Sequence, residues 1–200
     1  QKPWTLSIGH IAGQIVRSCI AFSSCAPADA PTRLHSGCTR LYPCHSDVGD
    51  GVMADHRPPQ RRKLYRPFLK EEKKGKQIDW IFLDLCMDET CREFQYLAYD
   101  YLLALKDEVR LEDIPRIRKQ ALTKPWDTID FFDQVIGSLT LRDERVKAVM
   151  REWACADDMW LRRIAIDHQL GHKEKTDTAL LEEIIVQNLG SDEFFINKAI

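Results

Sequence analysis

No stretch of this 200-residue chain is long and apolar enough to span a bilayer. The one weakly apolar segment near the start, residues 8–22, is interrupted by His10, Gln14 and Arg17, which argues against a secretory signal. Charge of one sign is also missing: 29 Lys and Arg stand against 31 Asp and Glu, a formal net charge of −2, which excludes a uniformly basic nucleic-acid binder. A clustered nucleophile and a glycine-rich phosphate loop are lacking. Metal-ligand spacing is absent as well. Cys19 and Cys25, and likewise Cys38 and Cys44, are separated by five residues, wider than usual zinc pairings, so even with His35 and His45 nearby a zinc-binding regulatory leader is the least favoured reading. Cys86, Cys91 and Cys155 fall in helical patterns and read as small core hydrophobes of a reducing compartment.

Charge is scarce over the first fifty residues, where only seven positions carry it and Gly, Pro, Ser and Cys recur without period. Residues 1–56 are therefore expected to be a poorly ordered leader; their chemistry does not match that of the remaining chain, which suggests a frame-shifted or artefactual origin, with a genuine small extension as the alternative. Residues 57–200 form the expected folded domain, truncated at its C-terminal side.

Within that domain apolar residues recur at threes and fours with short polar breaks, and a strand pattern is lacking. The spacing predicts helices over residues 60–70, 78–86, 91–105, 111–122, 126–138, 142–153, 159–170, 178–188 and from 193 to the end. Breaks are expected at Gly75, residues 88–90, Gly137, Gly171 and Gly190 with Ser191, with Asp157 as a cap. Short connections between helices of this length imply antiparallel neighbours. The fold class is accordingly all-α, a right-handed superhelix of HEAT-like antiparallel helix pairs; a compact irregular bundle is the alternative.

Three stretches carry chemistry. In the run from Lys124 to Asp133, Thr123 suits a cap and Pro125 a first turn, which would start a helix there. Trp126, Asp130 and Asp133 then share one stripe, and Phe132, Val135, Ile136 and Leu139 face a core. The helix after Asp157 buries Leu161, Ile164, Ala165 and His168 or Leu170, leaving Arg163 beside Trp160, either pairing with Asp167 or free to clamp a phosphate. Residues 57–76 hold nine Lys or Arg against two Glu, a local field that attracts phosphates or simply solvates a face.

Five segments in register, Pro59-Gln-Arg-Arg-Lys, Arg92-Glu-Phe-Gln-Tyr-Leu-Ala, Lys124-Pro-Trp-Asp-Thr-Ile-Asp, Trp160-Leu-Arg-Arg-Ile-Ala and Phe194-Phe-Ile-Asn-Lys-Ala-Ile, resemble the AlkD-like DNA alkylation repair glycosylases, a family of HEAT-like repeats. The resemblance implies a glycosylase that excises cationic N3- or N7-alkylated purines from double-stranded DNA in base excision repair, as a cytoplasmic, nucleoid-associated bacterial monomer. It implies that Trp126, Asp130 and Arg163 form the lesion-facing site. Arg61, Arg62, Lys63, Lys73, Lys124, Trp160, Arg162 and Lys198 are expected to hold the DNA, along a concave surface without a deep base pocket. Neither metal nor cofactor is expected, since an alkylated purine is already a good leaving group and an Asp carboxylate suffices to offset charge at the sugar. The first residue of the family's frequent Trp-Trp pair is Pro125 here. The alternative function is a noncatalytic helical-repeat module that binds DNA or a protein partner.

Overall fold

A computed structural model describes residues 58–89, 92–123 and 129–200. The expected leader and the stretch Lys124 to Thr128, with Trp126, lie outside the described residues. Among the described residues every regular element is helical: α1 Pro58–Gly75, α2 Trp80–Asp88, α3 Arg92–Ala104, α4 Ile114–Thr123, α5 Ile129–Thr140, α6 Val146–Ala154, α7 Met159–Asp167, α8 Thr178–Asn188 and α9 Phe194–Ala199. Short 3-10 turns at Lys106–Glu108, Leu111–Asp113 and Lys173–Lys175 complete the connections. The fold is the expected all-α helical repeat.

Local chemistry sets where these helices begin. Asp79, Asp158 and Asp177 precede α2, α7 and α8, and each side chain accepts a hydrogen bond from backbone N–H groups of the first turn that have no partner inside the helix. The cap of α7 is thus Asp158, accepting from the amides of Trp160 and Leu161, and not Asp157 as the sequence suggested. Thr123 ends α4, its hydroxyl donating back to the carbonyl of Lys119 at 3.1 Å; the helix start that it was expected to cap lies outside the described residues.

Contacts between helices sort them into two rows. Odd-numbered helices pack in sequence, α1 on α3, α3 on α5, α5 on α7 and α7 on α9, while even-numbered helices cover one side of this row, α2 on α3, α6 and α8 on α7. Alternation of this kind follows from short loops between amphipathic helices, because each buries its apolar stripe against both its hairpin partner and the next repeat. Aromatic side chains make the joints. Phe68 of α1, Phe82 of α2 and Tyr101 of α3 cluster with ring centroids 5.0 to 6.2 Å apart, and Tyr99 of α3 stacks on Phe131 and meets Phe132 of α5 edge-on. Phe132, Val135, Ile136 and Leu139 are all buried, as the spacing required. Of the three cysteines expected in the core, Cys86 is buried, Cys155 is exposed with its thiol donating to Gln187, and Cys91 lies outside the described residues.

Gly137 is not a break. It sits inside α5, where a Cβ would meet the His168 carbonyl oxygen at 2.1 Å. Only a residue without a side chain lets α5 and the end of α7 approach this closely. His172 seals the contact, its Nε2–H donating to the Gly137 carbonyl at 2.9 Å.

His168 is buried beside it, whereas Leu170, its alternative in the sequence, is 77% exposed. The Nδ1–H of His168 donates to the Ala165 carbonyl at 2.7 Å, and burial pushes the imidazole down to about 4. In the unfolded chain the ring takes up a proton near pH 6.5. Unfolded molecules then bind the proton that folded ones refuse, so stability falls as pH drops from about 6.5 towards 4. His168→Gln, which keeps a donor, is expected to lose less thermal stability than the wild type between pH 7 and 4.5. Parallel losses in calorimetry would show that the ring is not held neutral.

Candidate functional site

Among the described residues, every functional side chain expected from the sequence lies on the odd-numbered row. At one end, α1 carries Arg61, Arg62, Lys63 and Lys73. Arg62, Lys63 and Arg66 border a cleft of about 620 Å³ between α1 and α3, floored by Tyr65, Leu69, Asp100 and Leu103. Tyr65 donates a short hydrogen bond to Asp100, and Arg62 Nε reaches the same carboxylate at 3.2 Å. Burial first, then the bond to Asp100, pushes the Tyr65 phenol up to about 12, so it stays a donor. Lys63 and Lys73 are exposed. Arg61 differs from expectation: it is buried, its Nε donating to the Tyr65 hydroxyl and its guanidinium lying 4.0 Å over the Tyr96 ring. An arginine so engaged braces α1 and is not presented to a phosphate.

At the other end, α5, α7 and α9 converge on Arg163. Its Nη2 donates to Asp130 at 3.1 Å and forms an ion pair with Asp167 at 3.3 Å, and its Nη1 donates to the Phe195 carbonyl at 2.9 Å. These three partners come from three helices, which fixes the guanidinium in place. Burial is graded across the bridge. Asp167 is 4% exposed, Arg163 12% and Asp130 69%, which leaves the Asp130 carboxylate facing solvent from a fully anchored base. Trp160 stands one turn before Arg163 on α7, and its ring rests on Phe195 of α9 at 5.0 Å. Arg162 is half-buried on the same helix and Lys198 is exposed on α9. The positions of Lys124 and Trp126 fall outside the described residues.

Asp133 lies one turn beyond Asp130, buried rather than on a solvent-facing stripe. Its carboxyl oxygen and those of Asp130 and Asp167 lie within 4.8 Å of one another, a spacing a cation could bridge. The Arg163 guanidinium already holds two of the three. Burial, then the charges of Asp167 and Asp130, pushes Asp133 up to about 9; burial also pushes Asp167 up to about 6, with Arg163 pulling it back.

The profile of the DNA alkylation repair enzyme family matches residues 53–200. The chain belongs to that family. A solved structure described as a "predicted DNA alkylation repair enzyme from Enterococcus faecalis" is similar to it, with a TM-score of 0.66 and 28% sequence identity over 74% of this chain and 71% of that one. No curated protein matches the chain. For a DNA alkylation repair enzyme the layout is coherent: cations border α1, and an anchored carboxylate opens to solvent further along the same row.

Sequence reasoning missed Asp100, and its signal was local. A carboxylate between two tyrosines, Tyr99-Asp100-Tyr101, at buried helical positions has to find donors inside the fold. It also missed the Phe195 carbonyl as the second hydrogen-bond acceptor of Arg163, a backbone group that no sequence pattern marks.

Proposed function

We propose that this member of the DNA alkylation repair enzyme family is a DNA glycosylase that hydrolyses the N-glycosidic bond of N3- or N7-alkylated purines in duplex DNA. One observation carries the reading: the solvent-facing Asp130 carboxylate is fixed by a guanidinium that is itself tied to Asp167 and to the backbone of α9. Alkylation makes the purine cationic, so it departs as a neutral base taking the bonding electrons with it. What then needs help is the sugar, which becomes an oxocarbenium ion. A preorganised carboxylate offsets that charge and orients the water that adds at C1′. Because Arg163 holds Asp130 before the reaction starts, little reorganisation is needed when charge develops.

Trp126, four residues before Asp130, would present an electron-rich face to the cationic nucleotide. Trp160 borders the site from α7. Release of 7-methylguanine or 3-methyladenine from methylated duplex under single-turnover conditions tests the reading. Tight binding of that duplex without release would replace it with a damage-binding module.

Lys63 and Lys73 hold the backbone in this reading, with Lys198, Lys124, Arg162 and the outer face of Arg62 as further contacts. Phosphate contacts position a protein without reading the lesion. Reversing Lys63 and Lys73 to Glu is therefore expected to weaken binding to methylated and unmethylated duplex equally, and to flatten the log–log salt dependence by about 0.9 for each phosphate no longer neutralised. Loss confined to methylated duplex, measured by anisotropy across salt concentrations, would contradict this role.

A further inference from the structure

Three carboxylates crowd one guanidinium where α5 meets α7. Arg163 donates to Asp130 and is ion-paired with Asp167. Asp133 stands among them with only 5% of its surface exposed, and its Oδ1 is buried without a hydrogen-bond partner. An ionised oxygen in that position would be a bare buried charge beside two like charges, an arrangement in which one member of the group keeps its proton. We propose that Asp133 is a positioning residue that works as a neutral carboxylic acid, its hydroxyl supplying the hydrogen this cluster lacks and keeping the Asp130–Arg163–Asp167 bridge in register. The site then presents one negative charge in excess of the guanidinium, at Asp130. What the bridge is for rests on the glycosylase reading; the neutral state of Asp133 does not.

The surroundings decide which carboxyl holds the proton. Facing Asp133 are Asp130 on its own helix and Asp167 and Arg163 from α7, and their combined effect with burial is larger on Asp133 than on Asp167. Asp167 has the guanidinium in direct contact, and Asp133 has no such bond. From α3 the titratable neighbour is Tyr99, whose ring stacks on Phe131; α9 contributes the Phe195 carbonyl, already taken by Arg163. His168 and His172 meet α5 further along, at Gly137, and Asp107 of the 3-10 turn meets it at Ser138.

A divalent cation is the rival way to neutralise three carboxylates. Full-length chains carrying Asp133→Asn, Asp133→Leu or Asp167→Asn separate the two. In an unfolded chain Asp133 ionises near pH 3.9, whereas in the folded chain it keeps its proton to about pH 9, so the wild type loses stability as pH rises through that window. Asp133→Asn has no proton to lose. Its thermal midpoint is expected to exceed that of the wild type by a margin that widens between pH 5 and pH 9 to about 5 °C. Asp167→Asn, the same chemical change one helix away, is expected to lower the midpoint, because Arg163 loses its buried charged partner. In single-turnover excision at pH 7, Asp133→Leu should lose about tenfold and Asp133→Asn recover to within about threefold of the wild type. A margin that stays flat with pH overturns the inference, and so does a wild-type midpoint that 1 mM MgCl2 or CaCl2 raises by several degrees while leaving Asp133→Asn unmoved. If the pH-dependent margin appears but the wild type itself excises nothing, the glycosylase reading fails and the neutral acid stands. If the wild type excises and the margin is flat, the reverse holds.

Discussion

Asp130→Asn is expected to slow single-turnover release of 7-methylguanine by about ten- to a thousandfold, the ~1.4 to 4 kcal/mol attached to one preorganised electrostatic group. The substitution is close to a pure charge deletion. Asn keeps the shape of Asp and an oxygen that can accept from Arg163 Nη2, now 3.1 Å from the carboxylate, so the three-helix anchor survives. Stability should barely change, since the side chain is mostly exposed and a pair with one exposed member contributes little. Affinity for methylated duplex should change much less than the rate, because the charge matters most once the glycosidic bond begins to break. Circular dichroism and anisotropy supply those two controls. Unchanged release would remove Asp130 from the mechanism and favour a protein that binds damage without cleaving it.

Gly137→Ala is expected to lower the thermal midpoint by about 3 to 8 °C, which corresponds to a net ~1 to 2 kcal/mol, the upper end of overpacking costs less the helical preference of alanine. Two effects oppose each other here. Alanine favours a helix interior over glycine by about 1 kcal/mol. The added Cβ, however, would lie 2.1 Å from a backbone oxygen, that of His168, which cannot rotate aside as a flexible side chain would. The helices must therefore part, and the clash wins. Parting α5 from α7 also stretches the Asp130 to Arg163 bond and weakens the His172 hydrogen bond to the Gly137 carbonyl, so excision should fall with stability. A midpoint that is unchanged or higher in differential scanning calorimetry would mean that the two helices are not held this close.

Helix type, order and approximate limits were readable because they follow from local spacing. The stripes at three and four residues in α3, α5 and α8 survive in the fold with ends within a few residues of expectation, where fraying and capping compete. Errors gathered where a local signal had two meanings. Gly137 is the residue type that ends helices, but its role is set by the His168 carbonyl thirty-one positions away in sequence. Asp157 and Asp158 are adjacent candidates for one cap, and only the direction of the chain entering α7 selects the second.

The candidate site divides along the same line. Residue types and spacing alone placed Asp130 on an accessible stripe and Arg163 four residues before Asp167 on one helical face, because helical periodicity is a property of the chain. That Arg163 bonds Asp130 across thirty-three residues, that the Phe195 carbonyl completes its set of acceptors, and that Arg61 is consumed by Tyr65 and Tyr96 are facts of tertiary packing. So is the fate of Asp133, which shares a stripe with Asp130 in sequence yet is buried beside Asp167 where α5 packs on α7. The sequence by itself determined an all-helical repeat with its carboxylates and cations at helical spacing. Which of those charges meet water, which meet each other and which must stay neutral was decided only when the helices stacked, since desolvation and like-charge repulsion act between elements that the chain order keeps apart.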